Sequence, residues 1–105
     1  WINCPLGEIK YDNITEKDLY DFFPAYIYLI NRIKEVDKNI EIIAVVNCNI
    51  KEEVIKGVQE LCKHLLVKCV TLNNIEKQSG HPNDRGMEQI ANQIISQTKN
   101  EGIVW

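Results

Sequence analysis

One stretch of the sequence, residues 40–72, decides the fold: IEIIAVVNCNIKEEVIKGVQELCKHLLVKCVTL. Its two ends, residues 40–46 and 67–72, are almost continuously apolar and rich in β-branched side chains, which is typical of strands covered on both faces. Between them, apolar side chains recur at helical spacing, at Val54, Ile55, Val58, Leu61, Cys62 and Leu65. The stretch therefore predicts two adjacent parallel strands, joined by a helix in a right-handed crossover.

The start of this middle helix carries a capping pattern. Asn49 occupies the predicted N-cap, and Glu52 stands three positions later, a spacing at which each side chain can bond the other residue's backbone N–H. We therefore expect the helix to begin directly after Asn49.

The residues before the first strand predict a loop and two helical pieces. Residues 1–14 show neither the helical nor the strand period, because proline, glycine, aspartate and asparagine interrupt them. Thr15, with Asp18 three positions on, is a helix-start pattern. Pro24 suits only the first turn of a second helix, and apolar spacing continues that helix to Val36.

The residues after the second strand predict a loop, a helix and an undefined tail. Residues 73–83 show no period, and an apolar stripe at helical spacing begins after Asp84. Its members are Met87, Ile90, Ala91, Ile94 and Ile95. The tail GIVW, residues 102–105, predicts either a short edge strand or an unstructured end.

The whole order predicts one partial domain of the α/β class within residues 1–105. Two parallel strands with three amphipathic helices leave the edges of the sheet without cover. We therefore expect further strands before Trp1 or in another chain.

Charge and hydropathy exclude two classes of partner. The net charge is −3, which gives no reason to expect nucleic acid or an anionic membrane surface. Apolar runs are too short to span a bilayer. We expect neither a nucleic-acid partner nor a membrane span.

The cysteines and histidines do not form a metal pattern. The four cysteines lack C-x-x-C spacing, and neither His64 nor His81 completes a zinc set. Cys62 falls on an apolar helix face and Cys69 in an apolar strand, so we predict buried free thiols rather than disulfides. No metal or other cofactor is expected.

One histidine lies where an α/β protein binds its ligands, beyond the carboxyl ends of the strands. His81 stands between Gly80, which gives the backbone freedom to turn, and Pro82, which fixes φ. Such a turn could present a catalytic base. The alternative is a structural or merely exposed histidine; His64, near a helix C-terminus, illustrates that case because it suits the helix dipole.

Two segments resemble the SGNH/GDSL hydrolase family. GHPNDRGMEQIANQI, residues 80–94, is similar to the family's last conserved block, in which a His-Pro pair precedes a helix. Residues 1–34 resemble the segment directly after the family's Gly-x-Asn-Asp block. The resemblance covers nearly the whole chain, as the C-terminal half of such an enzyme. It implies a flavodoxin-like three-layer α/β/α fold, hydrolysis of small carboxylic esters, and a secreted or periplasmic location.

The resemblance also implies roles for particular residues. His81 would be the general base that takes a proton from a nucleophilic serine. The family's serine lies in a Gly-Asp-Ser block near the start of the enzyme, and Ser79 and Ser96 match nothing in it. This chain alone would then lack the nucleophile, and the remaining N-terminal half of the domain or another chain would supply it.

The family's orienting acid is replaced here. It precedes the histidine by three residues, where this chain has Gln78. A glutamine carbonyl can fix the imidazole tautomer, but it cannot stabilise imidazolium as a carboxylate does. The carboxylates that could do so are Glu76 and Asp84; we rank Gln78 or a backbone carbonyl first, Glu76 second and Asp84 third.

The first residues of the chain would lie directly after the family's oxyanion asparagine. Trp1, Cys4, Leu6 and Glu8 could therefore line the mouth of a substrate site, although surface packing is the alternative for each. A second interpretation of the whole chain is a non-catalytic α/β module that binds a partner through its open sheet edge.

Overall fold

The computed structural model describes residues 4–99. Trp1 and the tail at 102–105 lie outside them. A 3-10 helix and seven further elements succeed one another along the chain: 3-10 helix Lys17–Tyr20, α1 Phe22–Val36, β1 Ile43–Val46, α2 Glu52–Leu65, β2 Lys68–Thr71, β3 Lys77–Gln78, β4 His81–Pro82 and α3 Asp84–Lys99.

The two predicted strands are parallel and adjacent. β1 pairs with β2 from Ile43 opposite Lys68 to Val46 opposite Thr71, so the prediction of a crossover connection through α2 is confirmed. Within residues 4–99, β1 pairs with no strand but β2. Its second edge is therefore unpaired in this part of the chain, and Val45 is 42% exposed.

Helices cover both faces of this sheet. Because side chains alternate along a strand, Ala44 and Val46 pack against α1 and α2, whereas Ile43 packs on the opposite face. The α1 and α2 side holds the larger core: Phe23, Ile27, Ile30, Ala44, Val46, Val58, Leu61, Cys62 and Val67. The α3 side holds Val70, Leu72 and Ile75, against which Ile90 and Ile94 pack. The layers are therefore helix, sheet and helix, as predicted.

The apolar stripe of α3 is only partly used. Ile90 and Ile94 face the core, but Met87 is 57% and Ile95 42% exposed. α3 also contacts Thr71 and Asn73 through glutamine side chains.

The predicted cap of α2 is wrong. Asn49 adopts a left-handed backbone with φ 63°, a conformation that asparagine tolerates better than most residues. The chain therefore turns once more before the helix begins, and Lys51 takes the N-cap position without a side-chain cap. Local sequence could not separate these two uses of asparagine.

The first helical piece begins one residue later than predicted, because Glu16 rather than Thr15 takes the N-cap position of the 3-10 helix. Thr15 and Asp18 bond reciprocally: the Asp18 N–H donates to Thr15 Oγ1 over 3.2 Å, and the Thr15 N–H donates to Asp18 Oδ2 over 2.8 Å. Pro24 is the third residue of α1, in its first turn. The helix ends at Val36, as its apolar spacing predicted.

The four cysteines are free thiols, as predicted. Cys62 is fully buried, whereas Cys69 is half-buried. A hydrogen bond between the two side chains lowers the pKa of Cys69 to about 7, and the same bond, together with burial, raises the pKa of Cys62. No helix within residues 4–99 has the length and apolar character that a membrane crossing requires.

Candidate active site

His81 lies in a six-residue hairpin, residues 77–82, that the sequence did not predict. β3 and β4 pair antiparallel, with Gln78 opposite His81 and Lys77 opposite Pro82. Ser79 and Gly80 form the turn with φ of 53° and 81°, the two positive values that a type I′ turn requires. The sequence predicted a plain loop here, because two-residue strands are too short to show a period. Gly80 was predicted to let the backbone turn, and it takes the second left-handed position of the hairpin turn.

The hairpin holds His81 in an exposed position after β2. Its partner across the ladder, Gln78, is also exposed. Directly opposed residues of an antiparallel pair project from the same face, so these two side chains are neighbours. In the part of the chain that the structure covers, residues 4–99, no cluster of three histidines, cysteines or carboxylates could hold a metal ion.

Asn83 joins the hairpin to α3. Its Oδ1 accepts a hydrogen bond from the Gly86 N–H over 2.8 Å, which caps the helix. Its Nδ2 donates to Glu76 Oε1 over 3.1 Å, and its backbone N–H donates to the Glu76 carbonyl over 3.4 Å. Sequence reasoning missed this residue, although an asparagine just before the first helical residue is a cap signal.

The two candidate carboxylates have different surroundings. Glu76 bonds Asn83 through one oxygen, and its other oxygen lies 3.5 Å from Arg85 Nε. Asp84 is exposed at the first position of α3, where a negative charge favours the helix dipole. The structure thus brings Glu76 and Gln78 onto the hairpin of His81 and leaves Asp84 on the helix.

Three glutamines of α3 bond the backbone that leads to the hairpin. They recur every four residues and bond the last residue of β2 and two positions beyond it. Gln97 exchanges hydrogen bonds with the Thr71 N–H and carbonyl, over 3.3 and 3.0 Å. Gln93 does the same at Asn73, over 2.8 and 2.7 Å. Gln89 accepts from the Glu76 N–H over 2.7 Å. The segment between β2 and the hairpin is therefore hydrogen-bonded to α3 at residues 71, 73 and 76.

An apolar cleft of about 400 Å³ lies along the unpaired edge of β1. Of the residues predicted to line a substrate mouth, Cys4 and Leu6 line this cleft, whereas Glu8 is exposed and does not line it. The lining set is Cys4, Leu6, Phe22, Tyr26, Val45, Val46, Asn47, Ile50, Lys51, Val54 and Val58. The hairpin of His81 contributes none of these residues.

A model of the GDSL-like lipase/acylhydrolase family matches residues 1–98. The chain belongs to that family. Solved structures of GDSL-like lipases agree with this assignment. One, from Bacteroides ovatus, is 40% identical and superposes with a TM-score of 0.88. Another, from Bacteroides uniformis, is 34% identical with the same TM-score of 0.88. No curated protein matches the chain.

The coverage of these GDSL-like lipases is unequal. Each superposition covers 92% of this chain, but only 47% of the Bacteroides ovatus chain and 46% of the Bacteroides uniformis chain. This chain therefore spans slightly less than half the length of either. The fold predicted from the His-Pro block, part of an SGNH-type α/β domain, is confirmed.

Proposed function

We propose that this chain is the C-terminal portion of an SGNH/GDSL-type serine hydrolase that acts on carboxylic esters, with His81 as its general base. The observation that carries the proposal is the hairpin, which presents an exposed imidazole on a tightly specified turn just after a parallel strand. A general base must be both accessible and held in place. Membership in the GDSL-like family supports hydrolysis as the reaction class.

The proposed chemistry uses His81 twice. Its neutral imidazole accepts the hydroxyl proton of a serine as the serine oxygen bonds the ester carbonyl carbon. The imidazolium then gives that proton to the departing alkoxide as the carbon–oxygen bond breaks, which leaves an acyl-enzyme. Water repeats the sequence: His81 takes its proton, the water oxygen attacks the acyl carbon, and the proton returns to the serine oxygen as the acid leaves.

The nucleophile of this scheme comes from outside the chain. Ser79 occupies the first left-handed position of the hairpin turn, and Ser96 is exposed on α3. The unpaired edge of β1 and the apolar cleft beside it are suited to the remaining N-terminal half of the domain, which would add strands there. That half would also carry the oxyanion donors. Trp1, Leu6 and Glu8 stay proposed as substrate contacts at the junction.

Two residues of the hairpin are candidates for orienting the imidazole. Gln78 lies directly across the ladder from His81, and its carbonyl could fix the tautomer. Glu76 could in addition stabilise the imidazolium that forms during proton transfer. Of the two variants Gln78→Ala and Glu76→Ala, the one with the larger fall in kcat identifies the residue that orients the imidazole.

The alternative function is a non-catalytic module that binds a partner through the open edge of β1. The same unpaired edge favours it. It differs from the hydrolase in one consequence: His81 would then have no effect on any ester hydrolysis by the assembled protein.

The test is the substitution His81→Gln in the parent protein that carries this chain. We expect kcat for p-nitrophenyl esters to fall by at least about 10³-fold, on the scale seen when a triad base is removed. The midpoint of thermal unfolding should stay unchanged, because His81 is exposed. Asn92→Gln, at an exposed position of α3, is the control. An intact kcat in His81→Gln would remove the proposal.

A further inference from the structure

We infer that Asn83 is a positioning residue for His81: its side chain holds the Glu76 carboxylate on the His81 face of the hairpin while it caps α3. The inference rests on the proposed role of His81 as general base. It assigns Glu76, rather than Gln78, as the group that stabilises the imidazolium, and Asn83 as the residue through which α3 sets the place of that carboxylate.

Both ends of the Asn83 amide are used. The oxygen accepts from the Gly86 N–H, at 2.8 Å, and the nitrogen donates to Glu76 Oε1, at 3.1 Å. An amide carries a donor and an acceptor on separate atoms. It can therefore cap a helix and bond a carboxylate at once. Serine or aspartate at this position would cap equally well but would offer no amide donor to Glu76.

Although Glu76 is exposed, its side chain and its backbone both have hydrogen-bond or ion-pair partners. Its carboxylate contacts Asn83 and Arg85, its N–H donates to Gln89, and its carbonyl accepts from Asn83. The Arg85 side chain is 77% exposed, and exposed ion pairs of this kind add little to stability. The contacts therefore fix an orientation more than they stabilise the fold.

The register of the hairpin, continued by one pair from Lys77 opposite Pro82 to Glu76 opposite Asn83, indicates that Glu76 lies on the same side as His81. Gln78 and His81 are directly opposed, and Glu76 stands two residues before Gln78, bonded at its carbonyl by the Asn83 N–H. Side chains two residues apart lie on the same face of a strand. Glu76 is thus a diagonal neighbour of His81, a separation of roughly 7–8 Å that long side chains can bridge. A carboxylate at this position stabilises the charge that the imidazole gains from serine.

The hairpin fits closely on α3. A Cβ on Gly86 would lie 2.1 Å from the Glu76 carbonyl oxygen, so only glycine allows this approach. The base of the hairpin rests directly on the first turn of α3.

The main variant is Asn83→Ser in the parent protein. Serine keeps a cap for α3 but removes the longer side chain and its amide nitrogen, which donates to Glu76. We expect kcat for p-nitrophenyl esters to fall about 10-fold, the scale of one hydrogen bond to a charged group, with KM and the thermal midpoint unchanged. Asn92→Ser, the same change at an exposed position of α3, should leave kcat unchanged. Asn83→Asp, which keeps a cap and opposes Glu76 with a like charge, should lose at least as much kcat.

A double-mutant cycle separates positioning from capping. If Asn83 acts through Glu76, the pair Asn83→Ser with Glu76→Gln will be no slower than Glu76→Gln alone. If the double variant instead loses the product of the two single losses in kcat, the inference is overturned. An intact kcat in Asn83→Ser would also overturn it. The result for His81→Gln keeps the two proposals apart. If His81→Gln loses activity and Asn83→Ser does not, only the inference fails; if His81→Gln keeps full activity, the proposed function fails with it.

Discussion

At the scale of single residues, Asp18 shows the clearest electrostatic effect in the fold. Its carboxylate bonds Lys10 Nζ over 2.8 Å and the Thr15 N–H over 2.8 Å. The Lys10 bond, together with hydrogen bonds to the carboxylate from the Thr15 backbone and side chain, lowers the pKa of Asp18 to about 2. The Lys10–Asp18 ion pair thus connects the irregular N-terminal segment to the 3-10 helix.

The contribution of the Asp18 carboxylate to stability should depend on pH. A free aspartate has a pKa of about 3.9, so the lowered value in the fold means that the charged form stabilises the native state. That contribution is complete above about pH 4 and is lost as the pH falls to about 2. The difference in unfolding free energy between the native protein and Asp18→Asn should therefore shrink over this window. A difference that stays constant from about pH 5 to about pH 2 would contradict the assignment.

At the residue scale, the site was only partly predictable from sequence. His81 and Gly80 were found because a His-Pro pair and a glycine turn are local signals. Asn83 and the glutamines of α3 were missed, since their partners, Glu76, Thr71 and Asn73, become neighbours only after the helix folds back on β2. Sequence spacing alone does not report such contacts.

At the scale of elements, the fit of α1 against α2 depends on one glycine. A Cβ on Gly57 would lie 2.2 Å from the ring of Phe23, which is 5% exposed in the core. The absence of a side chain at this position lets the two helices approach. The same contact supports β1, because α1 and α2 cover one face of the sheet.

The substitution Gly57→Ala tests this contact through the sign of its effect on the free energy of unfolding. In an exposed helix, replacing glycine by alanine stabilises by about 1 kcal/mol. Here the clash with Phe23 should reverse that effect and lower the free energy of unfolding by about 1–3 kcal/mol. Urea unfolding of the parent protein measures it, and Phe23→Leu in the same background should recover part of the loss. A stabilised Gly57→Ala variant would show that the helices are not in close contact.

Element order was predictable, but only some of the element ends were. The parallel pair, α1 and α2 were predicted from hydrophobic period, which reflects burial directly. The start of α2 depended on whether Asn49 caps the helix or adopts a left-handed turn, and both are common uses of asparagine. The exposed Met87 and Ile95 show a similar limit, because the part of an apolar stripe that meets the sheet is decided by packing.

At the scale of the whole molecule, the chain matches about half of each GDSL-like lipase structure, and within residues 4–99 one edge of its sheet is unpaired. Within residues 4–99 its main sheet has two parallel strands, Val45 is 42% exposed, and an apolar cleft lies along β1. The related GDSL-like lipases are about twice as long, since the match covers 47% and 46% of them. These observations support the proposal that a further part supplies strands and the nucleophile.

Active-site labelling tests this division of the catalytic groups most directly. The parent protein would be treated with a fluorophosphonate, in which the serine oxygen bonds phosphorus and fluoride leaves, and the labelled serine located by mass spectrometry. Our account predicts one label, on a serine outside the 105 residues, and a labelling rate that falls at least about 10³-fold in His81→Gln. A label on Ser79 or Ser96, or an unchanged rate in His81→Gln, would contradict it.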